Sequence, residues 1–280
     1  MLPATKSQPK EMLPVVDRPV IHYAVEELAQ SGIQQVVIVT SIAKRAVEDY
    51  FDRSRDIESL LAEKGDVKRL EEVREISTMV NVAYVRQAEM RGLADAVNTA
   101  RHLVDDEPFI LVLPDDIMLN PGGTPPSRQL IDCHEQFGGS VVAVEEVPES
   151  EVSSYGIVAG RTLNDRVTKL ERLIEKPRPS DAPSRLAIVG RYLLTESVWS
   201  AIDRITPGFG GELQITDALQ ILADEEGMYA YRFEGVRYDT GRPFSLLRAN
   251  IEIGLQRPDI GPDLLRYLRG LQLTDVAGDD

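Results

Sequence analysis

The chain of 280 residues carries a formal net charge of −15, and 42% of its residues are hydrophobic and 28% charged. This composition is ordinary for a globular protein, and the negative charge argues against nucleic acid or an anionic membrane surface as a partner. A single cysteine, Cys133, excludes an intramolecular disulfide, and no apolar run reaches the length of a membrane helix. We therefore expect a cytoplasmic globular protein.

Strand and helix patterns alternate over residues 1–147. Residues 1–14 contain three prolines and no periodicity, which predicts a loop. The spacing of apolar residues then predicts, in chain order, a helix between Pro19 and Gly32, a strand over 36–40, helices over 43–51 and 56–76, a strand over 81–87, a helix over 93–104, a strand over 109–115, a helix over 127–137 and a strand over 141–147. This alternation predicts a doubly wound parallel sheet in this half, and for the whole chain we expect an α/β fold with a mixed, mostly parallel sheet flanked by helices.

The pattern becomes richer in short strands after Pro148. It predicts strands over 157–159, 168–174, 186–194 and 228–238, helices over 196–204, 215–225, 244–255 and 262–271, and a frayed tail over 275–280. No repeat or flexible linker interrupts the chain. We therefore predict a single domain over 1–280, with a first half over 1–147, a β-rich half over 148–257, and a C-terminal helix and tail over 258–280.

The apolar run from Phe109 to Leu113, which ends in Pro114, predicts a strand buried on both faces of a parallel sheet, and two acidic residues follow it. In open α/β sheets ligands bind beyond the carboxyl ends of strands, which is where Asp115 and Asp116 are expected to lie. Carboxylates are costly to bury without compensation, and Mg²⁺ is a natural partner for them. A turn with two solvated acids explains this stretch alone equally well.

Other patterns are compatible with a ligand site, although each alone is more often structural. Lys10 lies in a stiff loop between two prolines, and the Glu175–Pro177 stretch combines a carboxylate suited to hydroxyl groups with a lysine suited to phosphate. Glycines that let a backbone approach a ligand occur at positions 156, 190, 210 and 211. The histidines lie within helical patterns, and no Ser/His/Asp set or metal-spaced Cys/His cluster is present, which disfavours a hydrolase of those kinds.

Taken together, the motifs resemble the bacterial UTP–glucose-1-phosphate uridylyltransferases, a family of sugar nucleotidyltransferases. The stretches that carry the resemblance are, in order, PATKSQPKEMLPVVDRP, VRQAEMRGLADAV, LPDD, SSYGIV, IEKP, AIVGRYLL and GGELQITDAL, from about residue 1 to residue 255. The resemblance implies a Rossmann-like, glycosyltransferase-A-like fold. It also implies that the first half binds nucleotide and the β-rich half binds sugar.

The resemblance implies a role for each matching residue. The catalytic group comprises Lys10, Asp115 and Lys176, of which Lys10 contacts the nucleotide phosphates and Lys176 the sugar phosphate. Gln87 and Gly92 complete the nucleotide site by reading the uracil. Asp115 and Asp239 hold Mg²⁺, Glu175 binds glucose hydroxyls, and the sugar pocket is shaped by Tyr155, Gly156, Gly190 and Glu212.

The implied reaction needs few protein groups. Glucose 1-phosphate is already an anion, so it attacks the α-phosphorus of UTP without a general base, releasing pyrophosphate and forming UDP-glucose. The site must neutralise charge and align the attack, for which one Mg²⁺ and two lysines are suitable. The expected partners are these small molecules and further copies of the chain in a homo-oligomer.

One departure from the family pattern is large. The family's first strand and its GxGTR phosphate loop precede the PATK stretch, and neither is present here. Two hypotheses follow from this departure: an enzyme whose sequence is truncated or starts too late, or a catalytically silent sugar-nucleotide-binding relative. Within the enzyme class the alternative is a thymidylyltransferase, since thymine shows Gln87 the same imide edge. Losing about five buried apolar side chains forfeits roughly 8–15 kcal/mol, so we also expect the chain to be unstable and inactive without the missing strand.

Overall fold

The computed structural model describes residues 1–42, 44–104 and 106–271. The helices of this part are α1 (Val20–Gln30), α2 (Arg45–Phe51), α3 (Arg55–Glu63), α4 (Val67–Thr78), α5 (Leu93–Thr99), α6 (Pro126–Phe137), α7 (Ser197–Ile202), α8 (Ile215–Glu225), α9 (Pro243–Gln256) and α10 (Gly261–Gly270). Its strands are β1 (Pro14–Val15), β2 (Arg18–Pro19), β3 (Gln35–Thr40), β4 (Asn81–Arg86), β5 (Phe109–Val112), β6 (Asp116–Leu119), β7 (Ser140–Glu146), β8 (Gly156–Thr162), β9 (Val167–Glu175), β10 (Leu186–Leu194), β11 (Met228–Arg232) and β12 (Val236–Asp239). None of these helices is both long and apolar enough to cross a membrane.

The largest sheet has six strands in the order β5-β10-β7-β11-β9-β8, and β8 also pairs with β10. The expected α/β fold with mixed sheets and flanking helices is confirmed, but the parallel share is smaller than predicted. Among the described strands, parallel pairing occurs between β3 and β4 and between β7 and β11. Antiparallel pairing dominates because neighbours such as β8 and β9 are joined by a short turn, which cannot connect parallel strands.

Strands β3 and β5, which correspond to apolar runs in the sequence, lie at sheet edges. In the part of the chain that is described, β3 pairs with β4 alone and β5 pairs with β10 alone. The side chains from Phe109 to Val112 on β5 are half-buried, not buried on both faces as the sequence predicts.

Most predicted elements form close to the expected positions, but strand β6 was not predicted, α5 ends at Thr99, and two predicted elements are divided at glycines. The helix predicted over 56–76 is two helices, α3 and α4, because Gly65 adopts a positive φ of 70° between them. The strand predicted over 228–238 is likewise divided into β11 and β12 near Gly235, where a Cβ atom would lie 2.4 Å from the carbonyl oxygen of Leu119. The helix predicted over 43–51 is observed from Arg45 to Phe51, and residue 43 lies outside the described residues. The predicted tail over 275–280 also lies outside them.

The sheet separates two apolar cores. On β7, Val142 and Val144 pack into the core formed with α5, α7 and α8, whereas Val141 and Ala143 pack into the core formed with α6. These side chains are at most 2% exposed, since successive residues of a strand point to opposite faces. Strand β7 is therefore buried on both faces by helices, and it lies between β10 and β11 in the sheet. A ligand site is left to the ends of the strands.

Candidate active site

Two carboxylates far apart in the sequence meet beside a short antiparallel strand pair. β12 pairs with β6 so that Asp239 lies opposite Asp116, the residue after Asp115. The backbone N–H and the hydroxyl of Thr240 both donate to the carbonyl oxygen of Asp115, at 3.0 and 2.7 Å. A Cβ atom at Gly241 would lie 3.0 Å from Asp239 Oδ1 and 3.9 Å from Asp115 Oδ2, so the carboxylates of Asp115 and Asp239 converge around this glycine.

Lys10 reaches these carboxylates from the proline-containing loop. It begins a short 3₁₀ turn that ends at Met12, and its ammonium group forms an ion pair with the carboxylate of Asp115. Burial alone lowers the pKa of Lys10, but the charge of Asp115 and the hydrogen bond to it raise that pKa above its ordinary value. Lys10 is therefore a permanent positive charge at the point where Asp115 and Asp239 converge.

The carboxylate pair fits a hard divalent cation that is shared with a phosphate ligand. Among the described residues, no three His, Cys, Asp or Glu side chains are grouped to hold a metal by themselves. Mg²⁺ usually takes one or two protein carboxylates and completes its shell with water and substrate phosphates. The side chains of Asp115 and Asp239 are 26% and 27% exposed, so their oxygens remain open to such a cation.

A cleft of ≈ 390 Å³ opens beside the carboxylate pair. It is lined by Leu93, Leu113, Asp115, Asp116, Ser154, Tyr155, Gly156, Glu175, Lys176, Ile188, Gly190, Tyr192, Glu212, Gln214, Ile215, Thr216, Arg237 and Asp239. The lining contains more carboxylates than cationic side chains. An anionic ligand therefore needs an additional cation here, which is the second reason that the donor set fits Mg²⁺.

Lys176, the lysine that lines the cleft, has a strained backbone conformation. β9 ends at Glu175 opposite Gly156 on β8, and the next residue, Lys176, has a φ of +44°. This region costs a non-glycine residue about 1–3 kcal/mol. The N–H of Lys176 donates to the carbonyl of Tyr155 at 3.0 Å, and its Nζ lies 3.6 Å from Glu175 Oε1 and 5.4 Å from the ring centre of Phe209. These contacts hold the ammonium at the cleft.

A buried ion pair beneath the cleft was not predicted. Arg237 Nε donates to Asp116 Oδ1 at 2.9 Å, and the guanidinium lies 5.3 Å from the ring centre of Tyr155 and 4.0 Å from Asp239 Oδ2. Burial raises the pKa of Asp116 to about 6, while the charge of Arg237 opposes that rise. A Cβ atom at Gly190, whose φ is +41°, would lie 2.7 Å from Asp116 Oδ2, so only glycine leaves room for this carboxyl group.

Of the two residues predicted to read the base, Gln87 directly follows β4 and Gly92 directly precedes α5, and neither is in the lining of the cleft. Gln87 Nε2 donates to Asp95 Oδ2 at 2.7 Å. Gly92 has a φ of +115°, and a Cβ atom there would lie 2.5 Å from the carbonyl oxygen of Leu213. The residue that follows, Leu93, does line the cleft. The role of Gln87 and Gly92 in base recognition stays a prediction.

A second cavity of ≈ 360 Å³ lies on the other side of Lys10. It is lined by Met1, Thr5, Gln8, Pro9, Lys10, Glu11, Lys44 and Gly241. Lys44 Nζ lies 2.6 Å from Oε1 of Glu11, which is only 3% exposed. Lys10 and Gly241 line this cavity and also lie beside the carboxylates of Asp115 and Asp239, so the second cavity lies next to the candidate metal site.

Known proteins share this arrangement of elements. The sequence pattern of the nucleotidyl transferase family matches residues 1–255. The chain belongs to this family. Its relatives include a UTP–glucose-1-phosphate uridylyltransferase of Bacillus subtilis (strain 168), 46% identical over 95% of this chain and 89% of the relative. The predicted resemblance is therefore confirmed.

Solved structures of other nucleotidyl transferases have the same fold. A UDP-glucose pyrophosphorylase complexed with UDP-glucose has a TM-score of 0.84 and 38% identity, covering 92% of this chain and 94% of its own. A UTP-bound enzyme of the same kind from Acinetobacter baumannii has a TM-score of 0.89 and 34% identity, covering 97% of this chain and 94% of its own.

The structure of this nucleotidyl transferase brings most of the predicted site residues together. Those in the cleft lining are Asp115, Tyr155, Gly156, Glu175, Lys176, Gly190, Glu212 and Asp239. Lys10 contacts Asp115 from the second cavity, and Gln87 and Gly92 lie beside the cleft. Asp116 was expected at this edge of the sheet but was given no role. The residues of the two cavities that sequence reasoning did not single out include Lys44, Thr216 and Arg237, which owe their positions to contacts that no local motif shows.

Proposed function

We propose that this nucleotidyl transferase forms UDP-glucose and pyrophosphate from UTP and glucose 1-phosphate. The observation that carries the proposal is that Asp115 and Asp239 line the cleft together with Lys176, while Lys10, which lines the neighbouring cavity, forms an ion pair with Asp115. Such a site can hold two phosphate-bearing substrates on either side of one cation. The relatives named for this reaction, and the neighbour solved with UDP-glucose, support the same substrates.

The reaction that we infer is an in-line substitution at phosphorus. A phosphate oxygen of glucose 1-phosphate forms a bond to the α-phosphorus of UTP while the bond from that phosphorus to the bridging oxygen breaks, and pyrophosphate leaves with the electron pair. No proton has to be removed from the attacking oxygen, which explains why the cleft needs no general base.

Each side chain then has a charge-handling or positioning task. Mg²⁺ held by Asp115 and Asp239 supplies neutralisation of the phosphate charges when it is bound. Lys10 faces the nucleotide phosphates and Lys176 the sugar phosphate, so the two lysines stabilise charge at opposite ends of the reacting group. Glu175 accepts hydrogen bonds from sugar hydroxyls. Tyr155, Gly156, Gly190 and Glu212 shape the pocket around the sugar ring.

We also propose that Gln87 and the backbone at Gly92 select a pyrimidine base. A side chain at position 92 would collide with the backbone of Leu213, so only glycine brings this backbone to its place before α5, where we propose that it borders the pyrimidine. A thymidylyltransferase remains the alternative within this class, because uracil and thymine present the same imide edge to an amide side chain.

We further propose that the protein acts as a cytoplasmic homo-oligomer. The side chains of Phe244, Leu247 and Tyr267 on the C-terminal helices are 77%, 58% and 66% exposed. Because α9 and α10 pack against each other, these exposed apolar side chains support a subunit contact on this side of the protein. A lone buried thiol, Cys133, is compatible with a reducing compartment.

The test is pyrophosphate release by the purified chain with glucose 1-phosphate, MgCl₂ and each of UTP, dTTP, ATP and GTP. We expect UTP to be used best, with UDP-glucose recovered by chromatography. Asp115→Asn tests the metal ligand, and Asp165→Asn, in an exposed turn, is the matched control. A chain that binds UDP-glucose but releases no pyrophosphate is the silent relative, and a chain that prefers dTTP is the thymidylyltransferase.

A further inference from the structure

The carboxylate of Glu175 has a partner in the cleft that is not among the predicted site residues. Thr216 lies in the first turn of α8, is 4% exposed, and lines the cleft. Its hydroxyl donates to Glu175 Oε2 at 2.6 Å. The other carboxylate oxygen, Oε1, lies 3.6 Å from Lys176 Nζ.

The backbone opposite Glu175 is shaped around this hydrogen bond. Gly156 pairs with Glu175 across β8 and β9, and a Cβ atom at Gly156 would lie 3.1 Å from both Glu175 Oε2 and Thr216 Oγ1. Either distance is tighter than ordinary van der Waals contact. The absence of a side chain at Gly156 therefore lets the carboxylate and the hydroxyl meet.

We propose that Thr216 is a positioning residue for sugar recognition: it holds Glu175 in one orientation, with Oε2 bound to the hydroxyl and Oε1, beside the Lys176 ammonium, left to accept a hydrogen bond from a single sugar hydroxyl. This inference rests on the proposed function, because it concerns how that site binds glucose 1-phosphate. A freely rotating carboxylate accepts from hydroxyls at several ring positions, whereas one oriented oxygen favours one of them. Thr216 thus contributes to discrimination between sugar epimers without touching the reacting phosphorus.

The substitution that tests the proposal is Thr216→Val, which keeps the branched shape and removes the hydroxyl. Hydrogen bonds to charged groups are among the stronger ones, so we expect the KM for glucose 1-phosphate to rise about tenfold. We expect the KM for UTP to change less than about twofold, and the preference for glucose 1-phosphate over galactose 1-phosphate to fall. Thr216→Ser, which restores the hydroxyl, is expected to return the KM for glucose 1-phosphate close to that of the parent chain.

A double-mutant cycle distinguishes positioning from a general structural role. If Thr216 acts through Glu175, then Thr216→Val adds less than about twofold to the KM of a Glu175→Gln chain. Thr168→Val is the matched control, because Thr168 is also buried, on the same strand as Glu175, but does not line the cleft. Thermal melting monitors folding of every variant, and Thr216→Ala replaces Thr216→Val if the latter does not fold.

The inference is overturned by an unchanged KM for glucose 1-phosphate in Thr216→Val, by an equal rise in the KM for UTP, or by an undiminished effect in the Glu175→Gln background. An inactive parent chain contradicts the proposed function instead, and calorimetric titration with glucose 1-phosphate then decides. Weaker binding by Thr216→Val supports the inference in that case, whereas equal binding, or no binding by the parent chain, overturns it.

Discussion

The replacement of Arg191 by methionine is expected to destabilise the protein severely. Arg191 lies on β10 with no exposed surface, and its Nε donates to Glu27 Oε2 at 2.9 Å. Its other nitrogens lie 3.2, 3.3 and 3.5 Å from the carbonyl oxygens of Gly190, Asp116 and Leu113. One side chain therefore connects α1, β10 and the strand end that carries the candidate metal ligand.

The magnitude follows from the burial of both charges. Glu27 is 3% exposed. After Arg191→Met, the hydrogen bonds that remain to its carboxylate come from the backbone N–H and the hydroxyl of Ser127. Breaking a buried ion pair by removing one partner costs about 3–5 kcal/mol, because the remaining charge is left uncompensated. This is a large fraction of the stability of an ordinary domain, about 5–15 kcal/mol. At about 2 °C for each kcal/mol, the melting temperature should fall by about 6–10 °C.

Urea unfolding followed by circular dichroism measures the change. Arg185→Met is the matched control, since Arg185 pairs with Glu146 at the surface, where both side chains are about half exposed, and such pairs contribute at most about 1 kcal/mol. Arg191→Met/Glu27→Gln should be more stable than Arg191→Met, because the double variant buries no unpaired charge. Equal losses in Arg191→Met and Arg185→Met would refute the reasoning.

Three further outcomes are expected. Asp115→Asn and Lys176→Ala should each lower kcat by about two orders of magnitude with little change in melting temperature, and a near-normal rate in either contradicts its assigned role. The kcat/KM for UTP should be much higher than that for ATP or GTP, and Gln87→Leu should reduce this difference. Equal kcat/KM values for UTP and ATP would contradict the proposed role of Gln87 and Gly92 in base selection. Burial raises the pKa of Cys133 to about 12, so its thiol should resist iodoacetamide at pH 8 until urea unfolds the chain, as mass spectrometry would show.

The sequence alone was sufficient for much of the local structure and for the family. Apolar periodicity placed α1, β3, α6 and β7 within one or two residues of their observed ends, because these elements bury a continuous face or both faces. Motifs that combine a strand end with a charged residue also pointed to Asp115, Glu175 and Lys176, which the structure brings into one cleft. Such signals are local, so a single sequence shows them.

Strand partners and buried side-chain pairs were decided by the tertiary structure. Apolar runs such as Phe109 to Val112 occur in both parallel and antiparallel sheets. Its composition therefore did not show that this run pairs antiparallel with β10 at a sheet edge. Arg237 faces Asp116 only because β12 pairs with β6 in one register, and Thr216 reaches Glu175 only because α8 packs against β9. These contacts join residues far apart in the chain, and their energies depend on burial that only the folded arrangement creates.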